Sequence, residues 1–320
     1  MYSSDYIDIN MFISIFYIPP MSLNISDNRF SWRFPIPTDT YHKYCRNVYS
    51  QNGEDGIIEQ LLKEMNITNG GTFCEFGASD GVSSCNVLQL VKSHNFTGML
   101  IEADEGRYRK CVENYTSYPE VQVFQGFVLY DDATNNLDSW LARGNMKADF
   151  DVLSIDIDCD DYYVWENMKN YNPKIVIFEV NSYRDPIFDE LPRRPSTSHN
   201  IDLLREQIPS RVAQGCSFIS AVKLGLQKGY VPVSFTGNII FVRRDLVDKL
   251  KEFPYKLSDN PYDYVTLYTH LCMWGNEWYS NNGLIVNTAI RDYYLLTKSV
   301  YIDMEWLRNR VKKIENNSGA

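Results

Sequence analysis

The sequence predicts an α/β fold in which a doubly wound, mostly parallel sheet closes with an antiparallel hairpin. Short apolar runs alternate with helical segments over residues 50–180, a pattern typical of parallel strands covered by helices on both faces. Near residue 235 only the stretch TGN joins two further apolar runs, and a loop that short connects antiparallel neighbours. With 320 residues and 44% hydrophobic composition, the chain can bury a full core.

Each element is predicted by its own pattern. In YSQNGEDGIIEQLLKEM, apolar residues recur at helical spacing from Ile57 to Met65. The predicted strands are TFCEFG, GMLIEA, VQVFQG, DVLSIDI and KIVIFEV. The helices predicted between them are Val82–Ser93, Glu105–Tyr115, Asn136–Arg143 and Tyr162–Asn170. A last helix, SFISAVKLGLQKG, has Gly229 where a C-terminal stop is expected, and the hairpin of YVPVSF and NIIFVRRDL follows it.

The chain divides into three predicted parts. Residues 1–48 lack sustained periodicity and are rich in Pro, Asn, Ser and aromatic residues, so we expect an N-terminal extension. Residues 49–245 form the core, interrupted at 182–215 by an insertion rich in Pro, Arg and Ser. Residues 246–320 form a C-terminal extension rich in aromatic residues.

Composition and charge exclude several classes of partner. The chain has 31 Lys and Arg against 41 Asp and Glu, a net charge of −10, and so lacks the basic field that nucleic acid requires. The seven cysteines are scattered without metal-ligand spacing and are interpreted as buried apolar residues in a reducing compartment. The run MFISIFYIPP is short and follows Asp5 and Asp8 instead of a basic flank. We therefore expect a cytoplasmic protein without a signal peptide, a membrane span or a membrane partner.

The stretch TFCEFGASDG places two acidic residues around a glycine turn directly after a predicted strand. Gly77 and Gly81 would allow a tight turn and close approach of a ligand. Their spacing is not the G-x-G-x-x-G of dinucleotide binders, and Glu75 would repel a pyrophosphate and attract an amine. Glu102 follows Gly81 by 21 positions, close to the separation at which an acidic residue binds ribose hydroxyls. The alternative for Glu102 is an ordinary carboxylate on a solvated loop.

Four segments together resemble a known family. EFGASDG, LIEAD, LSIDID and IFEVN resemble the motifs of class I S-adenosylmethionine-dependent methyltransferases. The arrangement is similar to the FkbM-type branch, which methylates hydroxyls on sugars and polyketides, and YSQNGEDGIIEQLL and SFISAVKLGLQKGY are similar to the stretches that flank its core. The resemblance covers residues 49–245. It implies a Rossmann-like, seven-stranded sheet with an antiparallel last strand.

The resemblance also implies positions for the cofactor S-adenosyl-L-methionine. The loop from Glu75 to Gly81 would hold its methionine part, Glu102 its ribose, and the region of Gly126 and Phe127 its adenine. Gln51, Glu54 and Asp55 lie where this branch closes over the cofactor, although they could equally be the solvated first turn of a helix. The implied cofactor-binding set is Gln51, Asp55, Glu75, Gly77, Ala78, Ser79, Asp80, Gly81, Asn86, Glu102, Ala103, Phe127 and Asp156.

The segment SIDIDCDDYY is the most acidic part of the core. Asp156 and Asp158 project to one side of a strand, at the carboxyl end where ligands bind in open α/β folds. Glu179 and Asn181 end the next strand with the same spacing and add hard oxygen ligands. We therefore predict Mg²⁺ or another divalent cation among Asp156, Glu179 and Asn181. The alternative is that Asp156 alone contacts the amine of the cofactor.

Methyl transfer from a sulfonium requires an aligned acceptor oxygen and removal of its proton. The catalytic candidates are Asp156, Asp158 and His199, with Asp160 and Asp161 as further candidate bases. For His199 the alternative is a solvent-exposed loop histidine. The insertion carries a local excess of arginines that would bind a phosphorylated or nucleotide-linked sugar, or would simply be solvated. These arginines are Arg184, Arg193, Arg194, Arg205 and Arg211.

The function predicted from the sequence is transfer of a methyl group to a hydroxyl of a sugar, a glycan or another small-molecule acceptor. Two alternatives remain open. The pair Asp156 and Asp158 resembles the acidic pair by which many glycosyltransferases hold a manganese ion and a sugar nucleotide, but this leaves the glycine turn unexplained. The core could also be a non-catalytic cofactor-binding module. A nicotinamide oxidoreductase suits the fold but not the glycine spacing.

Overall fold

A seven-stranded sheet forms the centre of the molecule in the computed structural model. The structure describes residues 41–181, 184, 189–192, 215–251, 253, 257–264 and 267. The strands are β1 (Thr72–Phe76), β2 (Thr97–Glu102), β3 (Val121–Gln125), β4 (Val152–Ile155), β5 (Ile175–Glu179), β6 (Tyr230–Phe235) and β7 (Asn238–Arg243). Their order is β3-β2-β1-β4-β5-β7-β6, with β7 antiparallel to both of its neighbours.

Helices connect the parallel strands. They are α1 (Glu54–Glu64), α2 (Leu88–His94), α3 (Glu105–Asn114), α4 (Leu137–Arg143), α5 (Asp161–Asn167) and α6 (Phe218–Gln227). Short 3₁₀ helices lie at Tyr41–Tyr44, Arg244–Lys249 and Pro261–Tyr264. Among the α-helices that the structure describes, three begin with a side-chain oxygen, because Asp104, Asn136 and Ser217 each accept a backbone N–H of the first turn.

The predicted fold class is confirmed. Each of the seven predicted strands is present, and the hairpin joins β6 to β7 through Thr236 and Gly237. Pairing of β5 with β7 sets Glu179 opposite Asn238. The start of β7 therefore lies at the edge of the sheet where β1, β2, β4 and β5 end, which we call the carboxyl edge.

Of the four helices predicted between the strands, two differ from the observed helices by more than one residue at one end. The helix predicted from Val82 begins only at Leu88, because Asp80 accepts the backbone N–H groups of Val82 and Ser83 and holds this segment as a loop. The helix predicted to reach Asn170 ends at Asn167. After Met168, the backbone N–H groups of Lys169 and Asn170 donate to the carboxylate of Asp138 on α4 instead of to carbonyls of α5.

Aromatic packing fixes β5, β6 and β7 against α5. Trp165 of α5 is fully buried, and its ring lies 5.1–5.6 Å from three other aromatic rings. These are the rings of Phe178, Tyr230 and Phe241. Each such pair contributes about 0.5–1.5 kcal/mol beyond the area that it buries. β5, which ends at Glu179, is thus held by this aromatic packing, and β4, which Asp156 follows, pairs with β5.

Several predictions fall outside the described residues. They concern most of the N-terminal extension (1–48), most of the insertion (182–215), including His199, and most of the C-terminal extension (246–320). In the part of the chain that the structure describes, Cys74, Cys85, Cys111 and Cys216 are buried thiols outside any disulfide. Within that same part, we find no helix with both the length and the apolar character needed to cross a bilayer.

Candidate active site

Acidic side chains from four neighbouring strands meet at the carboxyl edge. Ile155 of β4 is level with Phe76 of β1 and with Phe178 of β5. Asp156, which follows Ile155, therefore stands level with Glu179, which follows Phe178. Glu102 ends β2 on the other side of β1. The parallel register thus gathers these carboxylates around the loop that follows β1, as the sequence predicts.

The glycine turn after β1 is held by backbone hydrogen bonds. The N–H groups of Gly77 and Ala78 both donate to the carbonyl of Ile101, at 3.0 and 3.2 Å. Gly77 has a φ of 75°, and a Cβ there would lie 1.6 Å from the carbonyl oxygen of Asp156. A Cβ on Gly81 would lie 2.5 Å from the ring of Tyr115. Protein atoms therefore already require glycine at both positions, in addition to any approach by a ligand.

Glu75 lies beneath this turn and is only 4% exposed. Its carboxylate accepts the backbone N–H of Asn86 at 3.0 Å and the thiol of Cys85 at 2.8 Å. Burial raises the pKa of Glu75 above its ordinary value. Asn86 also donates its side-chain amide to Ser154 of β4, at 3.1 Å. In this arrangement both oxygens of Glu75 hold the segment between the turn and α2.

Glu102 is buried at the end of β2 and is oriented by two backbone amides. One oxygen accepts the N–H of Ser79 and the other accepts the N–H of Asp104, each at 2.7 Å. Ala103, half-buried, follows directly. Phe127, predicted near the adenine, is 50% exposed beyond the end of β3, and Trp140 donates its indole N–H to the carbonyl of Phe127 at 3.0 Å.

A cluster of three carboxylates lies at the ends of β4 and β5. Oxygens of Asp156, Asp158 and Glu179 lie within 4.8 Å of one another. Asp158 is exposed and has a φ of 66°, a left-handed conformation that is uncommon outside glycine. Burial, and next the charge of Asp158, raise the pKa of Asp156 to about 7. Burial, and next the charge of Asp156, raise the pKa of Glu179.

The composition of this cluster differs in part from the predicted metal set. Asp156 and Glu179 belong to both, whereas Asp158 was assigned to catalysis and not to the metal. The structure places Asn181 two residues beyond β5, where its backbone N–H donates to the carbonyl of Cys216 at 2.9 Å. Three carboxylate oxygens so close together suit a hard divalent cation, because they repel each other unless a cation or a proton lies between them.

Asp161 holds the loop between β4 and α5 that contains Asp156 and Asp158. It is buried at the first position of α5, and its carboxylate accepts the backbone N–H of Ile157 at 2.8 Å. Burial raises the pKa of Asp161 to about 8, and the charges of Asp156 and Asp158 add to this effect. Asp161, one of the predicted bases, thus holds the backbone between Asp156 and Asp158.

The start of α1 closes the site from the side of β7. Glu54, fully buried, accepts the hydroxyl of Thr236 at 2.7 Å and the amide of Asn238 at 3.3 Å. Burial raises the pKa of Glu54. Asp55 is buried beside it, whereas Gln51 is exposed and its carbonyl accepts the side-chain amide of Asn47. The contacts of Glu54 with the hairpin were not predicted from the sequence, and only the polar residues within TGN hint at them.

The described ends of the insertion are anchored beside the acidic cluster. Tyr163 of α5 donates its hydroxyl to the carbonyl of Pro192 at 2.8 Å, and the N–H of Gly215 donates to the carbonyl of Cys159 at 3.2 Å. Arg184 forms an ion pair with Glu190 at 3.2 Å. His199 and the other four predicted arginines lie outside the described residues.

A separate cavity of about 690 Å³ lies at the opposite edge of the sheet. It is lined by Asn172, Lys228, Gly229, Arg243, Arg244 and Asp245. Its cations already have partners, since Arg243 pairs with Asp245 and Lys228 donates to the carbonyl of Met168. The cavity is far from the carboxylates, because Arg243 ends β7 whereas Asn238, level with Glu179, begins it.

Neither a protein-family model nor a curated protein matches the chain. Solved structures resemble parts of it. The magnesium protoporphyrin IX methyltransferase from Synechocystis PCC 6803, with bound SAH, is 12% identical with a TM-score of 0.35, over 59% of this chain and 81% of that chain. The O-methyltransferase NcsB1 from neocarzinostatin biosynthesis, in complex with S-adenosyl-L-homocysteine and 1,4-dihydroxy-2-naphthoic acid, is 12% identical with a TM-score of 0.31.

The match to NcsB1 covers 54% of this chain and 48% of NcsB1. The N-terminal domain of EvdMO1, in the presence of SAH and D-fucose, is 10% identical with a TM-score of 0.37, over 62% of this chain and 85% of that chain. Likenesses of this size concern the arrangement of strands and helices. They do not identify what this chain binds.

Proposed function

We propose that the chain is an S-adenosylmethionine-dependent O-methyltransferase of the FkbM-like type, acting on a hydroxyl of a sugar or glycan-type acceptor with the help of a divalent cation. The observation that carries the proposal is the carboxylate of Glu102. Two backbone N–H groups, one of them from the glycine turn, fix both of its oxygens at 2.7 Å. A buried carboxylate held in this way keeps acceptor capacity for the two adjacent hydroxyls of a ribose.

The charge of the site favours this cofactor over a nucleotide phosphate. Burial raises the pKa values of Glu54, Glu75 and Asp156, so a cationic group beside them would stabilise their ionised forms. Asp158 and Glu179 add two further carboxylates at the same edge. An anionic pyrophosphate would be repelled here, whereas the ammonium and sulfonium groups of S-adenosylmethionine would be attracted.

A divalent cation fits the donor set of the carboxylate cluster. Asp156, Asp158 and Glu179 offer three oxygens within 4.8 Å, and hard cations such as Mg²⁺ prefer oxygen ligands. The amide oxygen of Asn181 remains a fourth candidate ligand. A cation bound there would lower the pKa of an acceptor hydroxyl and make its proton easier to remove.

When bound, S-adenosylmethionine supplies a methyl group that its sulfonium already activates. The chain must then align the acceptor oxygen behind that methyl group and receive its proton. We assign the proton to the oxygen of Asp158 that the cation would leave free, because Asp158 is the exposed residue of this cluster. Asp156 and Glu179 would orient the acceptor from the strand ends, and His199 remains the alternative base.

The acceptor would bind beside the residues that the structure describes at the ends of the 182–215 insertion. Its described ends are joined to Tyr163 and Cys159, next to the carboxylate cluster. The arginines of this segment other than Arg184, which pairs with Glu190, would form forked hydrogen bonds to a phosphorylated or nucleotide-linked sugar. Limited proteolysis with and without nucleotide sugars tests this assignment, and cleavage that no sugar slows would contradict it.

One observation also favours a second function. The cluster of Asp156, Asp158 and Glu179 would equally hold the manganese ion of a metal-dependent glycosyltransferase. A non-catalytic cofactor-binding module is the third possibility. Isothermal titration calorimetry with S-adenosylhomocysteine, UDP-sugars and NAD separates the functions. We expect heat from S-adenosylhomocysteine alone, and a response only to a UDP-sugar in the presence of Mn²⁺ would overturn the proposal.

The role of the cation has its own test. We expect methyl transfer to be lost after exhaustive chelation and restored by Mg²⁺ or Mn²⁺, because Asp156, Asp158 and Glu179 would otherwise repel one another. Binding of S-adenosylhomocysteine to the chelated protein serves as the control for folding. Full activity after chelation would remove the cation from the proposal and leave the assignment of Glu102 intact.

A further inference from the structure

The two carboxylate oxygens of Asp55 have very different surroundings. Oδ2 accepts the backbone N–H groups of Val48, Tyr49 and Ser50 at 2.7–2.9 Å. It also accepts the hydroxyl of Ser50 at 2.9 Å. Oδ1 is buried and has no hydrogen-bond partner in the part of the chain that the structure describes. The side chain as a whole is only 1% exposed.

The contacts of Oδ2 explain the local fold but do not explain why Oδ1 lacks a hydrogen-bond donor. Oδ2 by itself satisfies three successive backbone amides and so fixes the segment that leads into α1. An asparagine could accept the same four hydrogen bonds without placing a charge inside the protein. A buried acceptor oxygen without a donor is unfavourable and calls for an explanation. The simplest explanation is a donor that arrives with a ligand.

The charges around Asp55 indicate the chemistry of that donor. Its negative charge acts on both Glu54 and Glu75, which are buried and whose pKa values burial already raises. Glu54 accepts from Thr236, and both oxygens of Glu75 accept from the segment that contains Cys85. A group that carries a positive charge and several N–H donors would compensate this environment. A primary ammonium has both properties.

We infer that Oδ1 of Asp55 accepts the ammonium group of the amino-acid part of the cofactor. The inference rests on the proposed function and changes one assignment, because the sequence predicts that Glu75 contacts the amine. In this arrangement Glu75 is a positioning residue for the segment between the glycine turn and α2. Asp55 closes over the amino acid from α1, while Glu102 holds the ribose at the end of β2.

Two ligands that differ only in the amino-acid part test this assignment by calorimetry. S-adenosylhomocysteine carries the ammonium, whereas 5′-methylthioadenosine keeps the nucleoside and the thioether and lacks the amino acid. We expect Asp55→Asn to lower the affinity for S-adenosylhomocysteine about 10-fold or more, because an amide –NH₂ group would replace Oδ1 and cannot accept a hydrogen bond from an ammonium. Binding of methylthioadenosine should not change. Glu102→Gln is the matched control and should weaken both ligands.

A second measurement does not depend on the variant folding. The wild-type chain should bind the deaminated analogue of S-adenosylhomocysteine at least about 10-fold more weakly than S-adenosylhomocysteine itself. In Asp55→Asn the two should bind alike. If the wild type bound S-adenosylhomocysteine and its deaminated analogue equally well, the assignment would be overturned. It would also be overturned if Asp55→Asn lowered the affinity for methylthioadenosine as much as the affinity for S-adenosylhomocysteine. If the wild type binds neither S-adenosylhomocysteine nor methylthioadenosine, the proposed function itself fails.

Discussion

The carboxylate of Glu102 accepts the backbone N–H of Ser79 at 2.7 Å and thereby joins the end of β2 to the glycine turn after β1. Ser79 has a φ of 52°, so the turn presents this N–H through a left-handed backbone that costs energy in a serine. The second oxygen of Glu102 accepts the N–H of Asp104 at 2.7 Å. The hydrogen bond from Ser79 to Glu102 therefore links the strained backbone of the turn to the buried carboxylate.

Replacing Glu102 by glutamine should therefore damage both stability and cofactor binding. The amide –NH₂ group of the substituted side chain would face a backbone N–H, of either Ser79 or Asp104, where a carboxylate oxygen accepts now. We expect a loss of about 1–3 kcal/mol in the free energy of unfolding. Urea denaturation measures the stability and calorimetry measures the affinity for S-adenosylhomocysteine. Glu105→Gln, an exposed change at the start of α3, should alter neither; a Glu102→Gln variant that binds normally would contradict the ribose assignment.

The sheet could be predicted from the sequence because each strand is an apolar run bounded by polar or glycine residues. Helix limits could not, because single side chains decide them. Asp80 holds Val82 in a loop, and Asp138 ends α5 by accepting the N–H of Asn170 from a distant part of the chain. Local competition of this kind leaves no trace in hydrophobic periodicity.

Part of the candidate site was equally predictable. The ends of parallel strands meet at one edge, so the proximity of Asp156 to Glu179 followed from their positions alone. The proximity of Asp158 to Asp156 was predicted from strand alternation, but β4 ends at Ile155 and Asp158 follows it with a left-handed φ that no spacing indicates. The bond between Glu54 and Thr236 joins residues 182 positions apart and depends on the register of the closing hairpin.

Asp158→Asn tests the role of the exposed carboxylate without disturbing its backbone. Asparagine adopts the left-handed conformation more readily than most residues, so the φ of 66° should be kept. We expect turnover to fall about 100-fold or more, since removal of a proton acceptor commonly costs this much. Affinity for S-adenosylhomocysteine should stay nearly intact, because Glu102 and the glycine turn are unchanged.

Single-turnover kinetics and calorimetry on the same preparation separate these two effects. Asp248→Asn, an exposed change in the 3₁₀ helix after β7, controls for the loss of a negative charge and should behave as the wild type. A comparable loss of turnover and of cofactor affinity in Asp158→Asn would argue against a role on the acceptor side.

Asp161 should make the stability of the protein depend on pH. Its pKa rises from an ordinary 3.8 to about 8 in the folded chain, mainly through burial. Between these values the folded state holds a proton that the unfolded state has lost, so stability falls as pH rises through this window. Asp161→Asn removes the titrating group and keeps an oxygen that can accept the N–H of Ile157.

Thermal unfolding from pH 4 to pH 9 measures this effect. The stability of Asp161→Asn relative to the wild type should increase progressively up to about pH 8. The difference should then level off, because the carboxyl of Asp161 in the folded wild type also ionises. Asp149→Asn, an exposed change ahead of β4, is the control and should follow the wild type. A difference between Asp161→Asn and the wild type that is constant across this range would show that Asp161 does not titrate in the folded protein.

The glycine turn offers a test in which backbone conformation is matched. Gly77 and Gly70 have φ values of 75° and 69°, so an alanine at either site pays a similar conformational cost of about 1–2 kcal/mol. A Cβ at Gly77 would lie 1.6 Å from the carbonyl oxygen of Asp156, whereas a Cβ at Gly70 would meet nothing within 4 Å. The obstacle at Gly77 is backbone and cannot rotate away.

We therefore expect Gly77→Ala to lower the free energy of unfolding by at least about 3 kcal/mol more than Gly70→Ala does. Relief of the clash would separate the turn after β1 from the start of the loop after β4, so binding of S-adenosylhomocysteine should be lost in Gly77→Ala and kept in Gly70→Ala. Urea denaturation and calorimetry on the two variants measure both effects. Equal destabilisation would mean that the turn can move away from Asp156, and the rigid contact between these two strand ends would then not be what holds the site together.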